Sequence, residues 1–229
     1  MIARSDIYVI VPAYQEASVI RKVVDELLSE KWPVIVVDDA STDGTSDCIR
    51  HLPIHLLRHP INLGQGAALQ TGMQYARQLG AQAVVHFDAD GQHQVGDMEA
   101  LLQPIMRGEV DVVMGSRFLT EESKTSVPLR RRRLLKIAIG INALFTGLWL
   151  SDAHNGLRAL NAKALARIHL RTNGMAHATE ILSEIRKHQL RYCEVPVHIQ
   201  YSDYAQQKGQ RWHHALGILG DLILHKLLF

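Results

Sequence analysis

Val84-Val85-His86-Phe87-Asp88-Ala89-Asp90-Gly91-Gln92-His93 is an apolar run that stops on two carboxylates one residue apart. A short apolar run bounded by turn residues is how a strand buried on both faces of a parallel sheet reads. Residues two apart in an extended chain project to the same side, so Asp88 and Asp90 can present oxygens to one cation at the carboxyl edge of that sheet. Mg²⁺ suits such a place, because it takes one or two carboxylates and completes its shell with water and substrate phosphates. The stretch reads as a site for a metal-bound diphosphate; the alternative is an Asp-rich turn after a strand, and the neighbouring sequence decides.

Working outward, the unit of strand then helix repeats. Ile7-Tyr8-Val9-Ile10-Val11-Pro12 is a continuous apolar run, and Val19, Ile20, Val23, Val24, Leu27 and Leu28 follow at helical spacing with Arg21, Lys22, Asp25 and Glu26 on the other face. The pattern predicts strands at 34–37, 54–57, 83–87 and 110–114, and helices at 45–52, 65–79 and 97–107, the last bent by Pro104. Such alternation argues for an α/β fold: a mostly parallel, doubly wound central sheet with helices on both faces, binding ligands outside the carboxyl ends of its strands. After Arg117 the pattern changes to a polar loop at 120–126, the run Arg130-Arg131-Arg132-Arg133 and an apolar helix. A helix at 178–188, a strand at 192–199, a polar loop at 202–210 and a terminal helix complete the reading.

Composition bounds the function. The 229 residues are 47% apolar, enough for a proper core. A net charge of +2, from 25 Lys and Arg against 23 Asp and Glu, argues against nucleic acid as a partner. Cys48 and Cys193 lie far apart without C-x-x-C spacing, which supports neither a disulfide framework nor a zinc site and fits a reducing cytosol. No apolar segment of signal-peptide length precedes the first strand, so export is not expected. As helices, 137–150 and 215–229 would be about 21–23 Å long against a hydrocarbon core of roughly 30 Å, so neither should span a membrane.

Val36-Val37-Asp38-Asp39-Ala40-Ser41-Thr42-Asp43-Gly44-Thr45 sets carboxylates and hydroxyls immediately after a strand. A cap needs one Asp; Asp38 and Asp39 side by side repel each other and require donors or a cation, which favours binding of a nucleobase and ribose. Asn62-Leu63-Gly64-Gln65-Gly66-Ala67-Ala68 opens the next helix with small residues that let backbone approach a ligand closely.

In this order, Val11-Pro12-Ala13-Tyr14-Gln15-Glu16, the Asp38–Thr45 loop, residues 62–68, Asp88–His93 and Gly115-Ser116-Arg117 resemble the family 2 glycosyltransferases of the GT-A fold over nearly the whole chain. The resemblance is to the branch of dolichyl-phosphate mannose synthases and bacterial polyprenyl-phosphate glycosyltransferases, where Asp-Ala-Asp-Gly-Gln-His and a later Gly-Leu/Phe-Arg element recur. It implies one domain over 1–229, with a nucleotide-sugar half at 1–117 and an acceptor half at 118–229 carrying candidate interfacial helices at 134–150 and 213–229. Pro12, Ala13, Glu16, Asp38, Asp39, Asp43, Gly66, Asp88 and Ala89 match nucleotide-binding positions, and Asp88, Asp90 and Gln92 match the group that holds Mg²⁺ or Mn²⁺ on the donor diphosphate. Arg117, with Arg130, Arg131 or Arg133, matches the site of the acceptor phosphate, and Asp152, Asn155, Gly156 and Arg158 match an element near sugar and acceptor. His154-Asn155 departs from the commoner residues there and leaves the sugar open, while Gln210-Arg211-Trp212 has the wrong spacing for the motif of processive members.

The implied function is metal-dependent, inverting transfer of a sugar from a nucleoside diphosphate sugar to a polyprenyl phosphate, by a cytoplasmic protein peripheral to the inner face of the membrane. Asp90, Arg117 and Asp152 are then the candidate catalytic residues. A phosphate acceptor is already ionised and needs no general base, whereas a sugar hydroxyl in polysaccharide synthesis would need one, with Asp152 the candidate. A catalytically silent nucleotide-sugar-binding subunit is a further alternative. The basic run can also be a solvated stripe, the helix after it an interfacial or a core helix, and the terminal helix a contact for a homo-oligomer or a small membrane partner.

Overall fold

The computed structural model of the protein describes residues 2–119, 147–152, 155–174 and 176–200. The arginines at 130–133, most of the helix expected at 134–150 and everything expected after residue 200 lie outside them.

The first half alternates as expected: β1 (Ile7–Ala13), α1 (Ile20–Ser29), β2 (Val34–Asp38), α2 (Thr45–Ile49), β3 (His55–Arg58), α3 (Gln65–Gln78), β4 (Ala83–His86), α4 (Asp97–Met106) and β5 (Val112–Ser116). Then come β6 (Arg158–Asn161), α5 (Ala162–Arg167), α6 (His177–Lys187) and β7 (Tyr192–Pro196). The sheet order is β3-β2-β1-β4-β6-β5-β7. Every pairing is parallel except those of β6 with β4 and β5. The chain steps outward from β1 to β3 and then returns to β4 on the other side of β1, a reversal of the kind that opens a ligand crevice at the carboxyl edge.

Period-two alternation sorts the strand residues onto two cores. Val9, Val11, Val34, Val36, Val85 and Phe87 pack with α1 and α4 on one face. Ile10, Ile35, Val37, Val84, Met114 and Leu160 pack with α3, α5 and α6 on the other. Gly72 lets α3 lie against β1, since a Cβ there would fall 2.4 Å from Ile10 Cγ2. Pro104 sits inside α4 without ending it.

The strand β6 and the helix α5 were not expected. Arg-Ala-Leu-Asn has no apolar run and no clear alternation, so its strand state comes from pairing on both sides and not from local preference. Asn161 closes the strand and caps α5, its Oδ1 accepting from Ala164 N at 2.9 Å.

Asp111, 1% exposed, ties these pieces together. It accepts from Arg191 N at 2.9 Å, Lys163 Nζ at 2.9 Å, Asn161 Nδ2 at 3.1 Å and Arg191 Nη2 at 3.2 Å. Burial opposes its charge, but the bonds from Arg191, Lys163 and Asn161 outweigh burial and hold the carboxyl well below the usual range. Its contribution to stability is therefore complete above the unfolded value near 3.9 and is lost as pH falls toward the lower folded value. Asp111→Asn should cost about 1–3 kcal/mol at pH 7 in urea unfolding, and the gap to the wild type should narrow at pH 3.

Candidate active site

The site is assembled at the carboxyl ends of β1, β2, β4 and β5, where β6 begins. Ala13 and Asp38 end β1 and β2 in register, and the two loops that follow are stitched together. Gln15 N donates to Ser41 Oγ at 2.9 Å, Glu16 N to Thr45 Oγ1 at 2.9 Å and Ala17 N to Asp43 Oδ2 at 3.0 Å. Asp43 also accepts from Thr45 N; burial raises its pKa, yet the bonds from Thr45 and Ala17 bring it below the ordinary value.

The mutual repulsion of Asp38 and Asp39 is relieved by protein donors. Asp38, fully buried, accepts from Ser41 N at 2.9 Å and from Ser46 Oγ. Asp39 accepts from Leu63 N at 2.9 Å and Gly64 N at 2.6 Å, and pairs with His59 Nδ1 at 2.7 Å. His59 is itself tied to Thr71 on α3 at 2.9 Å. These two carboxylates thus fix the loop walls of the crevice. The small residues at 64 and 66 were expected to let backbone approach a ligand; the close approach in the structure is to the chain's own backbone, since a Cβ on Gly66 would fall 2.1 Å from Thr172 O and Gly66 N donates to Asn173 O at 2.8 Å.

At the end of β4, Asp88 and Asp90 are half-buried on the same turn. Asp88 accepts from Gln65 Nε2 at 3.0 Å and pairs with His93 Nε2 at 3.0 Å. Asp90 accepts from Gln92 N at 3.0 Å and from the Gln92 side-chain amide at 2.5 Å, an arrangement that the positive φ of 72° at Gly91 allows. Burial pushes Asp88 up, but His93 and the charge of Arg158 pull it below the usual range; burial and the neighbouring Asp88 push Asp90 up. One carboxylate is held ionised and the other pays for that closeness, which a cation between them would relieve. Two carboxylates and an amide oxygen are hard donors that fit Mg²⁺ or Mn²⁺, with water and phosphate left to complete the shell. Among the described residues no cluster of three or more His, Cys, Asp or Glu offers a denser site.

Facing this turn is a second charge centre. Asp152, 2% exposed, holds Arg117 in a fork: Arg117 Nε to Oδ2 at 2.6 Å, Nη2 to Oδ1 at 2.7 Å and Arg117 N to Oδ2 at 3.1 Å. Glu194 of β7 sets the turn that carries Asp152, accepting from Ser151 N, Ser151 Oγ at 2.8 Å and Asp152 N at 3.1 Å. The structure therefore brings Asp88, Asp90, Gln92, Arg117 and Asp152 to one edge, with Ala89 on the Asp88 turn, Pro12 and Ala13 at the end of β1 and Glu16 on the loop after it. Gln65 and Glu194 hold these groups from distant segments and His93 holds Asp88 from five residues away; none of the three was among the expected site residues, although His93 and Gln65 lie within the motif stretches at 88–93 and 62–68.

A strand-order reversal with paired carboxylates at its carboxyl edge marks a ligand crevice, and the sheet has the fold of the GT-A glycosyltransferases. The chain belongs to glycosyl transferase family 2, whose family model matches residues 8–168, and it is a glycosyltransferase. It is 31% identical to the UDP-N-acetylglucosamine–dolichyl-phosphate N-acetylglucosaminyltransferase of Methanococcus voltae, over 97% of this chain and 94% of that one. It is 26% identical to the undecaprenyl-phosphate mannosyltransferase of Micrococcus luteus, over 94% and 90% of the two chains. Among solved structures, glucosyl-3-phosphoglycerate synthase from Mycobacterium tuberculosis, in complex with Mn²⁺, UDP and glucosyl-3-phosphoglycerate, superposes with a TM-score of 0.70 at 19% identity, covering 96% of this chain and 77% of that one.

Gly156 supplies a test of the site that spares the fold. A Cβ at this position would fall 2.1 Å from Asp88 Oδ2, so the carboxylate leans over the bare backbone. The obstacle is the end of a side chain and not backbone, so Gly156→Ala should keep a near-native melting temperature while weakening Mn²⁺ binding, followed by calorimetry, by about tenfold or more.

Proposed function

We propose that the protein is a metal-dependent, inverting transferase that moves a sugar from a nucleoside diphosphate sugar to a polyprenyl phosphate, dolichyl or undecaprenyl, at the cytosolic face of a membrane. The observation that carries the choice of acceptor is the fork between Asp152 and Arg117, in which both carboxylate oxygens receive guanidinium bonds at 2.6 and 2.7 Å. A carboxylate held by a cation in this way is a poor base, and a hydroxyl acceptor needs a base. A phosphate acceptor is ionised near neutral pH and needs none. The dolichyl-phosphate and undecaprenyl-phosphate enzymes among the relatives support the same acceptor class, and their different sugars leave the sugar of this protein unassigned.

Asp88, Asp90 and Gln92 would hold Mg²⁺ or Mn²⁺, which supplies charge to neutralise a diphosphate as it departs. The remaining work falls to the chain's own residues. Pro12, Ala13, Glu16, Asp43, Gly66 and Ala89 shape the nucleotide crevice, and Asp38 and Asp39 act through the loops they fix. Arg117, aimed by Asp152, takes the acceptor phosphate together with Arg130, Arg131 or Arg133.

Membrane contact is supported by Leu119 and Trp149, 43% and 78% exposed, which flank the basic, apolar segment 120–146. No helix among the described residues is long and apolar enough to cross a membrane.

The test is a panel of radiolabelled nucleoside diphosphate sugars with Mn²⁺ and a short polyprenyl phosphate. Label should enter the organic phase; label on an oligosaccharide instead would overturn the acceptor. Asp90→Ala should lower turnover by at least about a hundredfold with an unchanged circular dichroism spectrum, and chelation of the metal should do the same to the wild type.

A further inference from the structure

Arg158 is the first residue of β6, in register with His86 of β4 on one side and Met114 of β5 on the other. Cross-strand partners project to the same face, so its side chain lies with His86 and Met114 on the face covered by α3, α5 and α6, at the end of the strands that lead to Asp88 and to Arg117. Two residues earlier, Gly156 lies directly beneath the Asp88 carboxylate. Arg158 is 2% exposed, and none of the hydrogen bonds among the described residues reaches its guanidinium. Its nitrogens are also absent from the buried polar atoms that are both sealed from solvent and unpartnered, a set that includes His86 Nδ1 and Nε2, Asn155 Nδ2 and Thr179 Oγ1. The guanidinium is therefore unbonded among the described residues without being fully sealed, and the carboxylates close enough to act on its charge are Asp88 and Asp152 of the site.

Its surroundings leave it charged. Burial lowers its pKa only to about 10, because Asp88 and Asp152 both draw on its charge. Burial, with the charge of Arg158, takes His86 down to about 3 and His177 down to about 4, so both imidazoles are neutral at physiological pH. A guanidinium carries five N–H donors and is costly to bury without acceptors. The oxygen-rich groups that come to this spot in the function proposed above are phosphates.

We propose that Arg158 binds a phosphate oxygen of the substrates, between the carboxylates that face the donor and the fork that faces the acceptor. The oxygen belongs either to the donor diphosphate or to the acceptor phosphate, and two binding constants separate these sources. Arg158→Gln, which keeps polar donors but removes the charge, should weaken binding by about tenfold to a hundredfold, and Arg158→Lys should recover part of the loss. A raised Kd for UDP or GDP with Mg²⁺, at an unchanged KM for a short polyprenyl phosphate, assigns the donor. The reverse assigns the acceptor. If both constants stay at wild-type values while Tm falls, Arg158 is only a counter-charge for Asp88 and Asp152, and the proposal is overturned. Should neither variant fold, the assigned Arg158 Nε–Hε resonance of the wild-type protein decides: it must shift on saturation with Mg²⁺ and nucleotide or with polyprenyl phosphate, and a resonance that stays in place overturns the proposal. The wild-type transfer assay, run alongside, keeps the two failures apart. Absence of transfer to lipid removes the proposed function, whereas transfer that ignores Arg158 removes this inference alone.

Discussion

The hydrogen-bond ladder of one antiparallel strand determines where the charged groups of this protein meet. Because β6 is inserted between β4 and β5 and runs against both, the chain must arrive at the carboxyl edge before entering the strand. Residues 151–152 and 155–158 therefore lie at the edge where β4 and β5 end, bringing Asp152 to Arg117, Gly156 under Asp88 and Arg158 close to both carboxylates. A parallel strand in the same position would start at the far edge and leave these residues on the wrong side of the molecule.

Electrostatics divides the carboxylates of this edge into groups with different work. Asp38, Asp39 and Asp43 are surrounded by backbone N–H groups, hydroxyls, His59 and Arg58, and they lock the loops that line the crevice. Asp152 has a guanidinium fork. Asp88 and Asp90 are different: they share one turn, the charge of Asp88 pushes Asp90 up, and Gln65, Gln92 and His93 supply their hydrogen bonds. A like-charge pair in a half-buried turn is a place where a dication lowers the free energy of the folded protein and a diphosphate can follow it in.

The fold alone does not select an acceptor. A similar scaffold carries glucosyl-3-phosphoglycerate in the mycobacterial synthase, while relatives much closer in sequence are named for lipid phosphates. The difference has to lie in side chains added to a common sheet, and the Arg117 and Asp152 fork, set by Glu194, is the local feature with the right chemistry.

Most of the sheet was legible because a buried parallel strand must be a run of apolar residues and a helix packed on it must be apolar every three or four; β1, β2, β4, α1 and α3 declare themselves in this way. The Asp88-Ala89-Asp90 spacing was legible for the same local reason, since two residues of extended chain fix the side to which a carboxylate points. The short β6 was not, because its four residues become a strand only through neighbours on both sides. Nor could the sequence say that Asp39 would clamp the Leu63-Gly64 backbone, or that Asp152 would clasp Arg117 across 35 positions. Side-chain type and local period belong to the sequence; which partner each carboxylate finds depends on distances between distant segments, and these exist only in the folded chain.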